Sequence, residues 1–186
     1  MQRVNLLVRE TDEDLVSRAR GGDREAERVL IQRLYPGVHT LAARLLRGGG
    51  SAVDATQEAF LRAFSRLEQF DGNHRFSAWV FKILVNLIRD EFRRGTRVAS
   101  AEIVPDDWPA HGPVPVEAAI REENFGRVRA ELDRLPDDMR AALLLHFQEG
   151  LGGKEIAYAL GITYDAARLK ISRAVAKLRE RLGEEK

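Results

Sequence analysis

The stretch GGKEIAYALGITYDAARLKISRAVAKL, Gly152 to Leu178, decides how this chain folds. A short apolar-periodic run ends at Leu160-Gly161-Ile162-Thr163, and a longer one begins behind it. Glycine permits a tight turn there, and Thr163 is placed to cap the second helix, which is the pattern of a helix-turn-helix. Ile156, Ala157 and Leu160 supply the inner face of the first helix. Ala167, Ile171, Ala174 and Leu178 supply that of the second, at spacings of four, three and four. At 100° per residue, Asp165, Leu169, Ser172, Arg173 and Ala176 fall on the opposite side, with Arg168 at its flank. That arc suits a major groove, where arginines bridge guanine edges or phosphates and Leu169 touches a thymine methyl. A plain helical hairpin with a basic exterior fits the same residues. The coincidence of turn, cap, period and charge favours DNA.

Working outward from that stretch, helical signals dominate. Thr11-Asp12-Glu13-Asp14 reads as a capping box opening a helix that stops at Gly21-Gly22. Further helices are expected over Asp23–Arg47, with a kink at Pro36, and over Ala52–Leu67 and Phe76–Arg94. Others are expected over Glu117–Arg134, Asp137–Glu149, Gly153–Leu160 and Tyr164–Leu182. Between them, Pro105, Pro109, Pro113 and Pro115 crowd eleven positions, which blocks a helix and favours an extended tether. No segment alternates at period two. The expectation is an all-α chain of two small helical domains, residues 1–95 and 117–186, joined by an acidic Pro-rich linker over 96–116. Each domain is near the lower end of independently stable size.

The stretch FDGNHRFSAWVF, Phe70 to Phe81, raises a second question. An Asp-Gly-Asn turn signal precedes a helix on which Phe76, Val80, Ile83, Leu84 and Leu87 form a core face. Lys82, Asn86, Arg89 and Arg93 share one narrow stripe, with Arg75 in line if the helix reaches back to it. Such a helix is apolar on most sides and offers solvent a ribbon of cations with one amide. Asn is a poor interior helix residue, so Asn86 either reads a base or satisfies a buried backbone group.

Composition bounds the function. Of 186 residues 44% are hydrophobic and 32% charged, the formal net charge is +1, and there are no cysteines. A disulfide framework, a thiolate metal site and a thiol switch are thereby excluded. The opening residues carry too short an apolar run for a signal peptide, and no eighteen-residue apolar stretch occurs, so a soluble, cytoplasmic protein is expected. The near-neutral total hides a partition. His74–Val98 holds six cations against two anions, Tyr164–Leu182 again six against two, and Ala101–Glu123 six anions against Arg121. The basic islands fit either two polyanion-facing surfaces or two solvated helix faces.

Four stretches in this order are similar to the extracytoplasmic-function sigma factors of bacterial RNA polymerase, within the sigma-70 family. They are DEDLVSRARGGDREAERVL (12–30), DATQEAFLRAFSRLEQF (54–70), FSAWVFKILVNLIRDEFRR (76–94) and LPDDMRAALLLHFQEGLGGKEIAYALGI (135–162). The resemblance spans roughly Asp12 to Leu182. It implies a sigma region 2 bundle and a sigma region 4 helix-turn-helix, and a transcription initiation factor that directs core polymerase to promoters. Asp54, Gln57, Glu58, Leu61 and Arg62 match the helix that docks on the clamp helices of the polymerase's largest subunit. The loop matching Asp71, Asn73 and His74 receives a base flipped from the melted minus-ten element, with the aromatics behind it as a rigid wall. Arg75, Lys82, Asn86, Arg89 and Arg93 would follow the melted strand. Thr163, Arg168, Leu169, Ser172 and Arg173, with Lys170 beside them, match the face that reads the minus-thirty-five element as duplex.

The resemblance further implies a contact with the beta flap of the polymerase, an anti-sigma factor as a partner, and a monomer when free. It implies no cofactor, no metal and no membrane insertion. Two departures stand out: Ser51, Ala52 and Val53 precede Asp54 where an acidic run is common, and Ala166 and Leu169 stand where small hydroxyl residues are common. The acidic linker either passes a basic channel of the polymerase or is an inert solvated tether.

Two rival readings compete with this one. A stand-alone helix-turn-helix regulator would need a ligand cavity or a dimer interface, and nothing in the sequence marks either. An enzyme would need a site, yet His39, His74, His111 and His146 are scattered. There is no HExxH, no nucleophile elbow and no phosphate-binding glycine loop. The chain is therefore not read as an enzyme.

Overall fold

The computed structural model describes residues 10–47, 50–93 and 126–183. Every element among them is helical, and each start is set by local chemistry. Helix α1, Asp12–Arg20, opens on the expected capping box, with the Thr11 side chain accepting from the Asp14 amide and the Asp14 carboxylate accepting from the Thr11 amide. Helix α2, Arg24–Leu46, is capped by Asp23, whose carboxylate accepts from the amides of Glu25 and Ala26. Helix α3, Ala52–Ser65, is capped by Ser51 through the Asp54 amide. That gives Ser51 a definite role, holding the first turn. Helix α4 is Phe76–Arg93. The described residues of a fifth helix, α5, are 126–133, and α6, α7 and α8 follow as Asp137–Phe147, Gly153–Leu160 and Tyr164–Leu182.

Two expectations shift. Helix α3 ends at Ser65, and Leu67–Gln69 forms a separate 3-10 turn. Leu67 is still buried, so apolar spacing alone carried the helix two residues too far. Helix α6 ends at Phe147, two residues before the expected Glu149. Pro36 lies inside α2, which runs past it to Leu46 as expected. The expected linker, 96–116, lies outside the described residues, as does the beginning of the helix expected from Glu117. Among the described residues, no helix is long and apolar enough to cross a membrane.

Helices α1 to α4 form one bundle, in which α2 packs on α1, α3 and α4. Its core includes Leu15, Leu30, Val38, Phe76, Phe81 and Leu84, each with at most 2% of its surface exposed. A side chain of that size contributes about 2 kcal/mol when fully buried. Helices α6, α7 and α8 form the second bundle, with α6 on α8 and α7 packed against both. The bundles are not separate bodies. Helix α7 packs along α4, α6 touches α2, and one buried apolar cluster runs from Leu15 through Leu84 to Ile156, Leu160 and Ala167.

Arg140 reinforces that junction from a fully buried position on α6. Its guanidinium donates to the carbonyls of Leu132, Asp133 and Leu135 in its own bundle and to Arg44 in α2. Desolvation pushes its pKa down from the usual arginine value, with neighbouring Arg47 acting the same way, against the attraction of Asp137 and Asp133. Arg47 crosses the same seam, donating to the Leu135 carbonyl at 2.9 Å and pairing with Asp137 at 2.8 Å.

Candidate nucleic-acid interface

Helix α7 ends because Gly161 adopts φ +64°, a left-handed conformation that side chains disfavour. The Ile162 amide closes back on the Ala157 carbonyl at 3.0 Å. Thr163 then caps α8 through the Ala166 amide at 3.2 Å. The turn and the cap read in the sequence are both present, and they fix the angle at which α8 leaves the bundle. Ala167 and Ala174 are buried, Ile171 and Leu178 are half-buried, and Thr163, Asp165, Arg168, Leu169, Ser172 and Arg173 are exposed. The Arg168 guanidinium lies 5.7 Å from the Tyr164 ring centroid. That ring rests on Gly153, where an added Cβ would sit 2.7 Å from it. Lys170 is engaged otherwise: its ammonium binds the Asp138 carboxylate on α6. Burial pushes the pKa of Asp138 up, but Lys170 outweighs it and the net shift is downward.

A second exposed surface lies on α3. Asp54, Gln57 and Leu61 face outward, with Leu61 66% exposed, and Arg62 pairs with Glu58 at 2.6 Å one turn back. Leu61 is thus an exposed apolar side chain set among polar ones on the outer face of α3.

The third surface is the loop before α4. Asp71 accepts from the Asn73 backbone amide at 3.0 Å and from its side-chain amide at 2.7 Å, closing a turn over Gly72 at φ +73°. Those two bonds hold the Asp71 carboxyl below its ordinary pKa. Behind the turn, Phe70, Phe76 and Trp79 contact one another with ring centroids 5.3 to 5.7 Å apart. Arg20 of α1 donates to the carbonyls of Leu67 and Phe70 and lies over the Phe70 ring. Sequence reasoning missed Arg20, because nothing local ties it to a loop fifty residues away.

The cationic stripe of α4 is assembled as expected, but much of it does not face solvent. Asn86 is exposed, so its amide is open rather than satisfying a buried backbone group, and Arg75 and Arg93 are exposed as well. His74, Lys82 and Arg89 are covered by α7. The His74 imidazole stacks on Tyr158 with centroids 3.8 Å apart, and the Lys82 ammonium sits 4.0 Å from the centroid of the same ring. Arg89 donates to the Leu160 carbonyl at 2.8 Å, meeting one of the carbonyls a helix end leaves without an internal partner. Glu155 Oε2 is buried without a hydrogen bond among the described residues, facing His74 Nδ1 at 3.3 Å. Burial first, and then the charges of Asp71 and Glu155, raise the Tyr158 pKa. Tyr158 was not singled out in the sequence. The available signal was an aromatic on the first helix of a helix-turn-helix that the motif's own core does not require.

Comparison with known proteins accounts for both bundles. The model for sigma-70 region 2 matches residues 30–98, and that for sigma-70 region 4 matches residues 125–178. The ECF RNA polymerase sigma-E factor of Escherichia coli is 30% identical over 173 residues, covering 88% of this chain and 90% of that protein. Among solved structures, CnrH in complex with the cytosolic domain of CnrY superposes with a TM-score of 0.67 at 26% identity, covering 95% of this chain and all of that one. The sigma factor RpoE in complex with the anti-sigma factor NepR, from Bartonella quintana, shares the fold with a TM-score of 0.64 at 21% identity, over 84% of this chain and 96% of that one.

Proposed function

The chain belongs to the extracytoplasmic-function sigma factors of the sigma-70 family and is a transcription initiation factor; from that premise we propose how its surfaces divide the work. Residues 1–95 bind core polymerase and the minus-ten element, 96–116 tether the halves, and 117–186 read the minus-thirty-five element as duplex. Asp54, Gln57, Glu58, Leu61 and Arg62 on α3 dock on the clamp helices of the largest subunit. Leu61 is the apolar anchor and the charges around it set register.

Thr163, Arg168, Leu169, Ser172 and Arg173 enter a major groove. The observation that carries this reading is the outward arc of α8, a capped helix whose exposed side is cationic and whose buried side is alanine. Lys170, held by Asp138, positions α8 on α6 and contributes less to DNA than its neighbours. Asp71, Asn73 and His74 receive a flipped base, with Phe70, Phe76 and Trp79 as the wall behind them. Arg75, Lys82, Asn86, Arg89 and Arg93 follow the melted strand. Flipping costs about a few kcal/mol, which a preformed pocket and a cationic track offset.

The apolar groove between α5, α6 and α8, lined by Leu132, Leu143, Leu144, Phe147, Val175 and Leu178, suits the beta flap of the polymerase. An anti-sigma factor is the further partner, as NepR is for RpoE. The free protein is a monomer in the cytoplasm, since asymmetric two-element sites do not call for a symmetric dimer. A stand-alone regulator is not favoured, because the resemblance extends through the polymerase-binding helix as well as the helix-turn-helix. Co-migration with bacterial core RNA polymerase on a sizing column tests the assignment. A protein that stayed apart while binding duplex DNA would return it to the regulator class.

A further inference from the structure

Helix α7 offers the minus-ten surface a set of groups that resemble a nucleic-acid strand. The Tyr158 ring lies flat on His74 and presents its π-face to Lys82, as a stacked base would. The carboxylate of Glu155 faces His74 Nδ1, and the Leu160 carbonyl, at the negative end of the helix, takes the hydrogen bond that Arg89 would give a phosphate. A base, an anion and a second anion are thus each imitated, along the one stripe that the sequence reserves for cations. Arg75, Asn86 and Arg93, on the same track, remain exposed.

We propose that α7 is an intramolecular decoy for the melted strand: in the free chain its Tyr158 face occupies the minus-ten surface, and promoter DNA must displace it. The proposal rests on the minus-ten reading given above. Ile156 and Leu160 are buried in the apolar seam that α7 shares with α4, so displacing the mimicking groups opens that seam and separates the bundles. A free factor closed in this way cannot be held on stray single strands.

The test uses the full chain, which has no native cysteine. Fluorophores are attached at Arg24→Cys and Glu180→Cys, both exposed and one in each bundle. Energy transfer between them is read while a random-sequence single-stranded DNA oligonucleotide is titrated in. The decoy predicts that oligonucleotide binding lowers the transfer, because a ligand and a contact that compete must each weaken the other. It also predicts that Tyr158→Ala tightens oligonucleotide binding about fivefold, by raising the open population. Tyr158→Lys, which places a cation beside Lys82, does the same where the alanine variant loses helicity. If the oligonucleotide binds with transfer unchanged, and Tyr158→Ala binds no tighter than the parent chain, the decoy is wrong while the minus-ten reading stands. If Tyr158→Ala separates the labels but neither chain binds the oligonucleotide, the minus-ten reading itself fails, and the decoy with it.

Discussion

His74 and Tyr158, 84 positions apart in sequence, stack with their ring centroids 3.8 Å apart and their planes 19° from parallel. One residue belongs to the loop that precedes α4 and the other to the first helix of the helix-turn-helix. Their contact means that the bundles meet through polar and aromatic side chains as well as through core. Arg89 on the Leu160 carbonyl and Arg140 on the Arg44 carbonyl extend the same junction in two directions.

Arg140 should be among the least replaceable residues in the second bundle. Arg140→Ala leaves several buried carbonyls without their donor, and the expected loss is about 3 kcal/mol. Arg140→Lys should recover little, because an ammonium cannot fork to carbonyls in several directions. Chemical denaturation of the three proteins checks this, and an alanine variant as stable as the parent would contradict it.

Glu149 gives the packing a pH dependence. Burial alone raises its carboxyl pKa, and its oxygens lie directly against Gly37 of α2, with no room for a Cβ there. The folded chain therefore keeps this proton to higher pH than the unfolded chain does. The stability it contributes is complete below the ordinary carboxylate pKa of about 4.3 and is lost as pH rises through the elevated value. Relative to the parent, Glu149→Gln should melt at a higher temperature at about pH 8, with the difference gone by about pH 4. Parallel melting curves across that range would show that the carboxylate is solvated.

Arg168→Ala and Arg173→Ala should each lower transcription from minus-thirty-five-dependent promoters about tenfold, the value of one good base or phosphate contact. Binding to core polymerase should not change. Equal loss of both would contradict the division between α8 and α3.

Leu61→Ala should behave in the opposite way. It removes an anchor that is 66% exposed in the free protein, so folding stability should hold within about 0.5 kcal/mol. Affinity for core polymerase should fall about tenfold, as for the truncation of a hot-spot side chain. Competition between parent and variant for a limiting amount of polymerase measures it.

What the sequence made legible was what neighbouring residues decide. The Thr11–Asp14 capping box, the Gly161 turn, the Thr163 cap and the limits of α7 and α8 each depend on a few adjacent positions. The inner and outer faces of α8 followed from period alone. The end of α3 was misplaced because Leu67 keeps the apolar spacing while the backbone tightens into a 3-10 turn toward Phe70. Arg20 under the loop, Arg140 in the seam and Tyr158 over the stripe were not legible. Each acts across 47 to 96 positions, and no local rule links the partners. The stripe itself was found, but its covering was not, because the pattern of one helix does not say which neighbour will lie on it.

The central claim is that this chain gives core polymerase a choice of promoter by reading two unlike elements. Reconstituting it with bacterial core RNA polymerase on a randomised promoter library, and sequencing the transcript starts, tests that directly. The account predicts starts that require this protein and share two asymmetric elements about two helical turns apart. It further predicts that Asn73 and His74 variants shift the downstream element alone. Starts identical to those of core polymerase alone, or a single palindromic site, would contradict it.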